Sequence, residues 1–411
     1  MKTDQEIVAE HIAKILPLLK HEPESGIPYP YLSVGWGENP PYSGAIYGWD
    51  SYHAALRLAA GGEPKWLRYH TDIFLAVEDL STGFIPQMIS FNGERLTPGR
   101  DTYFPFLLQG ILVYTVISGD KEWAMSILHN AKLYLEYYEK YQQDPTGLFF
   151  WKYCWSGGVD NDAAIAFVPN GSVCPPNINA LLYLEYKSME KLCVLLGKPA
   201  DENIYRHKAD KLRDTINNAL WSNEDTCYAP YRRRDGYVGI RLGAYSFLSH
   251  TNLMPLYAAI APKDKASAVI ERYLISRDHF FSDWGIRSLS KSSEYYNNAV
   301  WGNPPRFDDF DRLTNSNWQG PVWVPANYFM FRALLNYGYT SLAEQVMVNL
   351  HKTLANDIRN NGVLHENYNA ETGQPLYAPY YGSWNTLADL MPEELKTGKS
   401  LSDIFVVIEK K

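Results

Sequence analysis

Near the end of the chain, a glutamate stands among polar residues in a segment that has the composition of a loop. Residues 365–375 read HENYNAETGQP, so His365, Asn367 and Tyr368 flank Glu366, and a turn-forming sequence follows. A glutamate on a solvated helix face more often has lysine, arginine or alanine for neighbours. Because catalytic groups concentrate on loops that a rigid scaffold positions, Glu366 is a candidate catalytic carboxylate, provided that the chain supplies a partner.

The best candidate for that partner is Asp160, in the sequence CWSGGVDNDAAI at residues 154–165. The two glycines allow the backbone to approach a ligand closely, and Trp155 stands beside them. Two carboxyl groups on either side of the scissile bond are what glycoside hydrolysis requires. Asp162 is an alternative acid, and an aspartate in a glycine-rich turn also commonly bonds its own backbone, so the residues alone leave a structural role open.

Aromatic residues are unusually abundant, with 12 Trp, 31 Tyr and 16 Phe making up 14% of the 411 residues. Many of them lie next to glycine, proline and asparagine rather than in helical stripes. Such rings can form flat platforms for sugars while their OH and NH groups bond hydroxyls. A large tyrosine-rich core is the alternative interpretation.

Two aromatic segments resemble junctions between a loop and a helix. YGWDSYHAA at residues 47–55 contains Trp49 and Asp50, and Asp50 either caps the helix or grips two adjacent sugar hydroxyls. NWQGPVWVPANYF follows much later, and its proline after the glycine suits the first turn of a helix. The predicted sugar-contacting residues of this second segment are Trp318, Gln319 and Trp323.

Helical periodicity recurs along the whole chain and predicts an all-α protein. It covers residues 4–20, 51–61, 65–80, 104–118, 121–142, 176–197, 201–220, 244–260, 264–275, 321–337, 340–358 and 384–390, with a last amphipathic stretch near 400–409. Strand-like alternation is scarce and is compatible with short β segments near 226–242 only.

Long loops rich in aromatic residues, glycine and proline separate alternate helices, which predicts helical hairpins whose loops gather at one end. About twelve helices in a closed double ring, an (α/α)6 barrel, fit the length and the loop spacing. An open α-solenoid is the alternative, although no fixed sequence repeat is visible. No linker-like composition divides the chain, so residues 1–411 are expected to form one domain.

Charge and apolar patterning exclude several classes of function. The net charge of −8 argues against a nucleic-acid or anionic-membrane surface. No run approaches the roughly 18 apolar residues of a membrane span, and residues 1–20 have the pattern of an amphipathic helix rather than a signal peptide. The four cysteines lack CxxC spacing and are expected to be buried thiols, so a cytoplasmic location is predicted. A homo-oligomer is compatible with the sequence.

Five motifs together resemble glycoside hydrolase family 63. In the order of that family, the chain has GWDS at residues 48–51, GFIPQM at 83–88, GGVDN at 157–161, WQGPVW at 318–323 and ENYNAETG at 366–373. The resemblance extends over nearly the whole chain, and the last two motifs are its most specific part. It implies an (α/α)6 catalytic domain that needs neither a metal nor a cofactor, and a small carbohydrate as the substrate.

The resemblance also implies roles for individual residues. Asp160 would be the general acid and Glu366 the base that activates water, with Glu366 ionised and held by donors such as Tyr368 or Asn367. Asp50 would bind sugar hydroxyls. The other implied substrate-binding residues are Trp49, Gln87, Trp155, Trp318, Gln319, Trp323, Tyr368 and Trp384. The chain departs from the family where DAA replaces SPR after the acid loop and where Gln87 replaces a common histidine, which affects the subsites.

The expected reaction is inverting hydrolysis of a small α-linked glucoside or mannoside. The short bacterial members that the chain resembles are similar to mannosylglycerate and glucosylglycerate hydrolases, and a glycerate anion would need a cation. The candidate cations are Arg100, Arg241, Arg287 and Arg306. DDFD at 308–311 is expected to be a solvated loop rather than a metal site. The alternatives are an α-glucosidase of the glucoamylase or trehalase type and a sugar epimerase or isomerase, which would rely on paired histidines.

Overall fold

Helices form most of the protein, for which a computed structural model describes residues 2–24, 26–91, 102–242, 245–304, 306 and 316–406. The α-helices of these residues are α1 (Asp4–Ile15), α2 (Gly48–Ala60), α3 (Lys65–Ala76), α4 (Leu107–Ser118), α5 (Lys121–Ser126), α6 (Leu128–Tyr141), α7 (Ala163–Ala166), α8 (Pro176–Leu195), α9 (Pro199–Ala219), α10 (Met254–Tyr257), α11 (Lys263–Val269), α12 (Val324–Asn336), α13 (Thr340–Asn361) and α14 (Met391–Thr397). Short 3-10 helices cover Leu16–Leu19, His250–Leu253, Ser383–Leu390 and Leu401–Ile404, and a π-helical turn covers Ile270–Leu274.

The strands are short and pair only two by two within the described residues. They are β1 (Lys20–His21), β2 (Tyr31–Leu32), β3 (Ala45–Tyr47), β4 (Met88–Ser90), β5 (Val173–Cys174), β6 (Trp221–Ser222), β7 (Cys227–Tyr228), β8 (Tyr231–Arg232), β9 (Arg241–Leu242), β10 (Tyr245–Ser246), β11 (Phe281–Ser282), β12 (Gly285–Ile286), β13 (His365–Tyr368) and β14 (Pro375–Pro379). The antiparallel pairs are β1–β2, β3–β4, β5–β8, β6–β7, β9–β10, β11–β12 and β13–β14. The strands therefore brace loops rather than form a sheet.

Six helical elements are buried on nearly every side and contact one another in a closed order. Helix α2 contacts α4, α4 contacts α8, α8 contacts α10, α10 contacts α12, and α12 contacts the 3-10 helix Ser383–Leu390, which returns to α2. Their sequences explain this position, since α4 (LLQGILVYTVIS) and α12 (VPANYFMFRALLN) are apolar around most of their circumference. A helix with that composition must be covered on all faces.

The helices between them are amphipathic and cover the outside. In α9 the buried residues are Tyr205, Ala209, Leu212 and Ile216, spaced by three or four positions, so one stripe faces inward. Helix α13 packs against both α12 and α1, and α9 packs against α8. Consecutive helices α8 and α9, and likewise α12 and α13, therefore pack as pairs, as predicted.

The inner ring contains a carboxylate that holds the start of a neighbouring helix. Glu185 on α8 accepts the backbone N–H groups of Leu108 at 2.9 Å and Gln109 at 3.2 Å, which are among the free donors in the first turn of α4. The side chain of Gln109 donates to Glu185 as well, at 3.2 Å. Burial raises the pKa of Glu185 to about 8, although these three donors oppose the shift.

Most predicted helices agree with the structure within a few residues, but the prediction for 244–260 is wrong in its first half. Residues 245–246 belong to β10, and only 250–257 are helical. The cause is a capping box, in which the Ser249 side chain and that of Asn252 bond each other's backbone and start the helix late. The predicted helix at 121–142 is divided into α5 and α6. The short β segments expected near 226–242 are confirmed by β7 to β9.

One expectation from composition has a structural counterpart. Cys154, Cys174, Cys193 and Cys227 are buried, as predicted. Within the residues that the structure describes, no helix combines the length and the apolar character needed to cross a membrane.

Candidate active site

A cavity of about 310 Å³ opens where the N-terminal ends of several inner elements meet. It takes residues from the junction before α2, from the loops before α4, α8 and α12, and from β13 and the 3-10 helix at 383–390. The lining residues are Tyr42, Tyr47, Gly48, Trp49, Asp50, Gln87, Met88, Phe104, Trp155, Gly158, Asp160, Ser316, Trp318, Glu366, Tyr381 and Trp384. Aromatic rings and a few convergent polar groups are typical of a small-molecule site.

Eight of the eleven residues predicted from sequence line this cavity. They are Trp49, Asp50, Gln87, Trp155, Asp160, Trp318, Glu366 and Trp384. The structure thus brings together side chains that are separated by up to 335 positions in the chain. The other three, Gln319, Trp323 and Tyr368, are fully buried and are not among its lining residues, which corrects their prediction as direct substrate contacts.

Glu366 lies on β13 and is only 2% exposed. Its Oε1 accepts a hydrogen bond from the Tyr42 hydroxyl at 2.9 Å, and its Oε2 accepts none from any residue that the structure describes. Burial raises the pKa of the Glu366 carboxyl well above its ordinary value, and the neighbouring Asp50 and Asp160 add to this shift. The Tyr42 hydrogen bond works in the opposite direction because it favours the ionised form.

The predicted donors to Glu366 are wrong. The Tyr368 hydroxyl donates to Asp357 at 3.0 Å, so it connects β13 to the C-terminal part of α13. The side-chain atoms of Asn367 have no partner among the described residues. The donor that sequence reasoning missed is Tyr42, which lies ahead of the GWDS motif and 324 positions from Glu366. Its neighbours, PPYSG, have the composition of an ordinary turn.

Asp50 is the third residue of α2 and is not its N-cap, since the helix starts at Gly48. Its Oδ1 accepts hydrogen bonds from the Tyr381 hydroxyl and from Ser383 Oγ, the latter at 3.1 Å. Burial raises the pKa of Asp50 to about 7, against the effect of these two donors. The capping interpretation is therefore wrong. Asp50 lines the cavity, and two hydroxyl groups donate to one of its oxygens.

Asp160 and Asp162 differ sharply in their surroundings. Asp160 lines the cavity, where Ser316 Oγ donates to its Oδ2 at 3.4 Å. Asp162 instead starts the short helix α7, accepting the Ala164 N–H at 3.1 Å with one oxygen and the Thr251 hydroxyl at 2.6 Å with the other. Asp162 therefore has a structural role and does not line the cavity.

The glycine before this acid is required by packing as well as by backbone conformation. Gly158 has a φ of +64°, which L side chains rarely adopt. A Cβ at this position would also lie 2.4 Å from the ring of Phe104. The backbone at Gly158 thus makes a close approach, as predicted, but it approaches the ring of Phe104 in the cavity lining rather than a ligand.

The tryptophans form a layered wall. Trp318 lines the cavity, and Trp323 stacks on it with ring centroids 3.8 Å apart and an angle of 7°. The indole N–H of Trp323 donates to the Asn317 carbonyl at 2.8 Å, so Trp323 supports Trp318 from behind. The indole N–H groups of Trp49 and Trp384 have no acceptor among the described residues. Donors beside flat rings in a cavity suit the hydroxyl groups of a sugar.

Gln319 is a loop anchor rather than a ligand contact. Its Oε1 accepts from the backbone N–H of Asn303 at 2.7 Å, and its Nε2 donates to the carbonyl of Asn161 at 3.0 Å. It therefore links the segment after Asp160 to the loop around residue 303.

The three proposed cationic arginines that the structure describes are not among the residues that line the cavity. Arg287 is 3% exposed and is held by Glu371 at 2.8 Å, by the Tyr296 hydroxyl and by backbone carbonyls. Arg241 is exposed beside Glu294 at 3.9 Å, and the backbone N–H of Arg306 donates to Ala166. Arg100 and the DDFD motif at 308–311 lie outside the described residues. The described lining thus contains three carboxyl groups and no lysine or arginine.

The described residues also contain no group of three or more histidine, cysteine, aspartate and glutamate side chains placed to hold a metal ion. The lining of the cavity likewise has no histidine among those residues. The chemistry that the described groups themselves offer is proton transfer between carboxyl groups, with tyrosine and tryptophan as hydrogen-bond donors.

Comparison with known proteins identifies the family. A family model for the mannosylglycerate hydrolase MGH1-like glycoside hydrolase domain matches residues 45–384, a range that includes every lining residue except Tyr42. Mannosyl-oligosaccharide glucosidase from Saccharomyces cerevisiae is 24% identical over 254 residues, which are 57% of this chain and 28% of the yeast protein. The chain therefore matches little more than a quarter of that relative's length.

Solved structures with low sequence identity share the fold. The GH63 mannosylglycerate hydrolase from Thermus thermophilus, in complex with glucose, has a TM-score of 0.69 and 17% identity over 94% of this chain and 100% of that chain. Neutral trehalase from Saccharomyces cerevisiae has a TM-score of 0.63 and 15% identity over 96% of this chain and 82% of the other. With a family match over most of its length, the chain belongs to the mannosylglycerate hydrolase MGH1-like glycoside hydrolases of family 63.

Proposed function

We propose that the enzyme hydrolyses a small α-linked glucoside or mannoside with inversion of configuration, using Asp160 as the general acid and Glu366 as the general base. The observation that carries this proposal is the presence of both carboxyl groups in the wall of one cavity, with Asp160 in the loop before α7 and Glu366 on β13. Glycoside hydrolysis needs one carboxyl group on each side of the scissile bond. Asp162, the rival acid, has both oxygens engaged by α7 and Thr251.

The proposed reaction is a single displacement. Asp160 donates its proton to the glycosidic oxygen as the bond to the anomeric carbon breaks, and Glu366 removes a proton from the water that attacks the opposite face. In inverting enzymes the two carboxyl groups stand roughly 6.5–9.5 Å apart to leave room for that water. Tyr42 orients the base through the hydrogen bond to Oε1, while Oε2 keeps its capacity to accept the proton.

The same proposal includes the architecture and the sugar contacts. The closed order of contacts among the inner elements supports an (α/α)6 barrel in which residues 1–411 form one catalytic domain. Asp50 binds hydroxyls of the reacting sugar, and the unpaired indole N–H groups of Trp49 and Trp384 donate to others. Gln87, Trp155 and Trp318 complete the wall around that sugar.

The choice of substrate draws on the named relatives. The Thermus structures are of a mannosylglycerate hydrolase, solved with glucose and with Tris and D-glycerate, and the yeast relative is a glucosidase. Glucose and mannose are therefore the candidate reacting sugars, with glycerate or a short saccharide as the leaving group. A sugar epimerase is disfavoured because the described lining offers no histidine pair.

Proton NMR during turnover tests the proposal. The panel contains α-glucosides and α-mannosides, including glucosylglycerate, mannosylglycerate and short disaccharides such as trehalose. The expected result is that a β-anomer appears first from at least one substrate and that Asp160→Asn and Glu366→Gln are both inactive on it. An α-anomer as the first product contradicts inversion, and isomerisation without bond cleavage contradicts hydrolysis. An active Asp160→Asn beside an inactive Asp162→Asn transfers the acid role to Asp162.

A further inference from the structure

A pair of aromatic rings, one exposed and one half-buried, lies on segments next to the cavity, and the chemistry described above does not use it. Trp301 and Tyr377 pack with their ring centroids 4.5 Å apart and an angle of 56° between the rings. Trp301 is 44% exposed, a large fraction for a tryptophan. Exposed aromatic surface next to a ligand cavity marks an interaction site more often than an isolated apolar residue does.

The two rings lie on segments that pair with the surroundings of both proposed catalytic carboxyl groups. Trp301 forms a β-bridge with Ser316, the residue that lines the cavity and donates to Asp160. Tyr377 lies on β14 opposite Asn367 of β13, one residue from Glu366. One ring is therefore tied to the segment beside the acid, and the other to the strand that carries the base. If Asp160 is the acid, the group bonded to the oxygen that it protonates would leave towards the segment of Ser316 and Trp301.

The loop that carries Trp301 is firmly anchored. Asn317 donates to Asn297 at 2.7 Å and to the carbonyl of Ala299 at 2.8 Å, and Asn303 is bonded to Gln319 on the other side of Trp301. A Cβ on Gly302 would lie only 2.1 Å from the Asn161 side chain, so the loop also packs closely on the residue after Asp160. A platform that is already in place loses little conformational entropy when a ligand binds.

The charges near the platform favour a neutral ligand. Three carboxyl groups line the cavity, and the described lining has no lysine or arginine to attract an anion. Arg287, a buried arginine outside the lining, is already engaged by Glu371 and backbone carbonyls. The described part of the site therefore offers no free cation to pair with an anionic leaving group such as glycerate, whereas a neutral sugar ring needs none.

We propose that Trp301 and Tyr377 form a binding platform for a second, neutral pyranose ring, the leaving group of an α-linked disaccharide or short oligosaccharide. The apolar face of the ring packs on the Trp301 indole, and its hydroxyls remain free to bond the Tyr377 hydroxyl. This deepens the proposed function and rests on it, since the platform is defined relative to the glycosidic bond of the substrate that Asp160 and Glu366 would flank.

The test compares substrates with and without a ring in the leaving group. α-Glucosyl fluoride and α-mannosyl fluoride release an ion too small to reach the platform, and they are set against α-linked disaccharides of the same sugars and against the two glycosylglycerates. The variants are Trp301→Ala, Trp301→Phe, which retains a ring, and Val300→Ala. Val300 is the matched control because it is the preceding residue of the same loop and is also exposed.

Trp301→Ala is expected to lower kcat/KM for the disaccharide by about tenfold, mainly through KM, with the glycosyl fluoride changed by less than about twofold. Trp301→Phe restores most of the loss, and Val300→Ala changes neither substrate. An equal loss on fluoride and disaccharide overturns the platform, because it would mean that Trp301 merely supports the loop. Faster turnover of a glycosylglycerate than of every disaccharide, unaffected by Trp301→Ala, also overturns it.

Failure of the proposed hydrolysis has its own signature. If the wild-type enzyme cleaves neither the fluorides nor any glycoside, the proposed reaction is wrong, and titration calorimetry with the disaccharides then decides the platform by itself. Loss of disaccharide binding in Trp301→Ala but not in Val300→Ala supports the platform. Equal binding by the wild type and Trp301→Ala overturns it.

Discussion

Two regions of the molecule bury a glutamate to the same extent and use it in opposite ways. Glu185 in the inner ring is 0% exposed, and Glu366 in the cavity is 2% exposed. Both Glu185 oxygens accept hydrogen bonds from the start of α4. Glu366 has one tyrosine donor, and its second oxygen has none among the described residues. A carboxylate with both oxygens hydrogen-bonded to the backbone of a neighbouring helix stabilises the fold. A carboxylate with one oxygen that accepts no hydrogen bond can still accept a proton from a substrate or a water.

The largest expected difference between the two regions is in catalysis. Replacing the proposed base in Glu366→Gln is expected to lower kcat by about 10²–10⁴-fold, the usual contribution of a general acid or base. Its melting temperature should be equal to or above that of the wild type, because a neutral amide accepts the Tyr42 hydrogen bond without the cost of a buried charge. Steady-state kinetics and thermal unfolding measure both effects. A variant that is fully active, or that loses activity only because it unfolds, contradicts this division of roles.

Replacing Glu185 in the inner ring should reduce the stability of the protein rather than its catalytic rate. In Glu185→Ala the backbone N–H groups of Leu108 and Gln109 lose their acceptor, and each orphaned buried donor costs about 1–3 kcal/mol of unfolding free energy. Denaturant unfolding measures the loss, with Glu190→Ala as the control, because Glu190 lies on the same helix and its carboxylate bonds the side chains of Lys187 and Arg206. The folded fraction of Glu185→Ala should retain kcat. Unchanged stability would mean that water or a shifted side chain replaces the carboxylate.

The hydroxyl that supports the base should control the pH dependence of the reaction. Burial raises the pKa of Glu366, and the Tyr42 hydrogen bond opposes that rise because it stabilises the charged form. The base must be ionised to act, so activity falls as the pH falls through this pKa. Tyr42→Phe removes the opposing contact and should move the acidic limb of kcat/KM to higher pH, with a lower plateau.

Asp50 is the control for that measurement, because its own pKa of about 7 lies in the same range. In an Asp50→Asn background, any limb that remains belongs to another group, and the Tyr42→Phe shift should persist on it. A profile that Tyr42→Phe does not move would show that Glu366 is not the titrating base.

Sequence reasoning predicted those helices and site residues that local sequence patterns specify. Helical periodicity located most of the helices, and short motifs selected Asp160 and Glu366, which the fold brings into one cavity, although Glu366 lies on β13 rather than on the expected loop. Tyr42 was missed because its partner lies 324 positions away, and nothing in a turn sequence records a contact of that length. Glu185 was missed because, in LLYLEYKS, it has the neighbours of any amphipathic helix. Trp323 and Gln319 were assigned to the ligand because a motif does not distinguish a residue that lines a cavity from one that supports it.

The last comparison concerns a pH dependence of stability that arises from Glu185 in the inner ring rather than from the cavity. Burial raises the pKa of Glu185 from the ordinary 4.5 to about 8 in the folded protein, so between these values the folded state binds more protons than the unfolded state. The unfolding free energy should therefore fall as the pH rises through this window, and its contribution from Glu185 should be complete below pH 4.5 and lost above pH 8. Glu185→Gln cannot titrate, and its stability should change less across the same window. Denaturant midpoints at several pH values measure the two slopes. Since Asp50 and Glu366 shift in the same direction, a residual slope in Glu185→Gln reports the cavity, and equal slopes in the wild type and Glu185→Gln would show that α4 holds Glu185 ionised throughout.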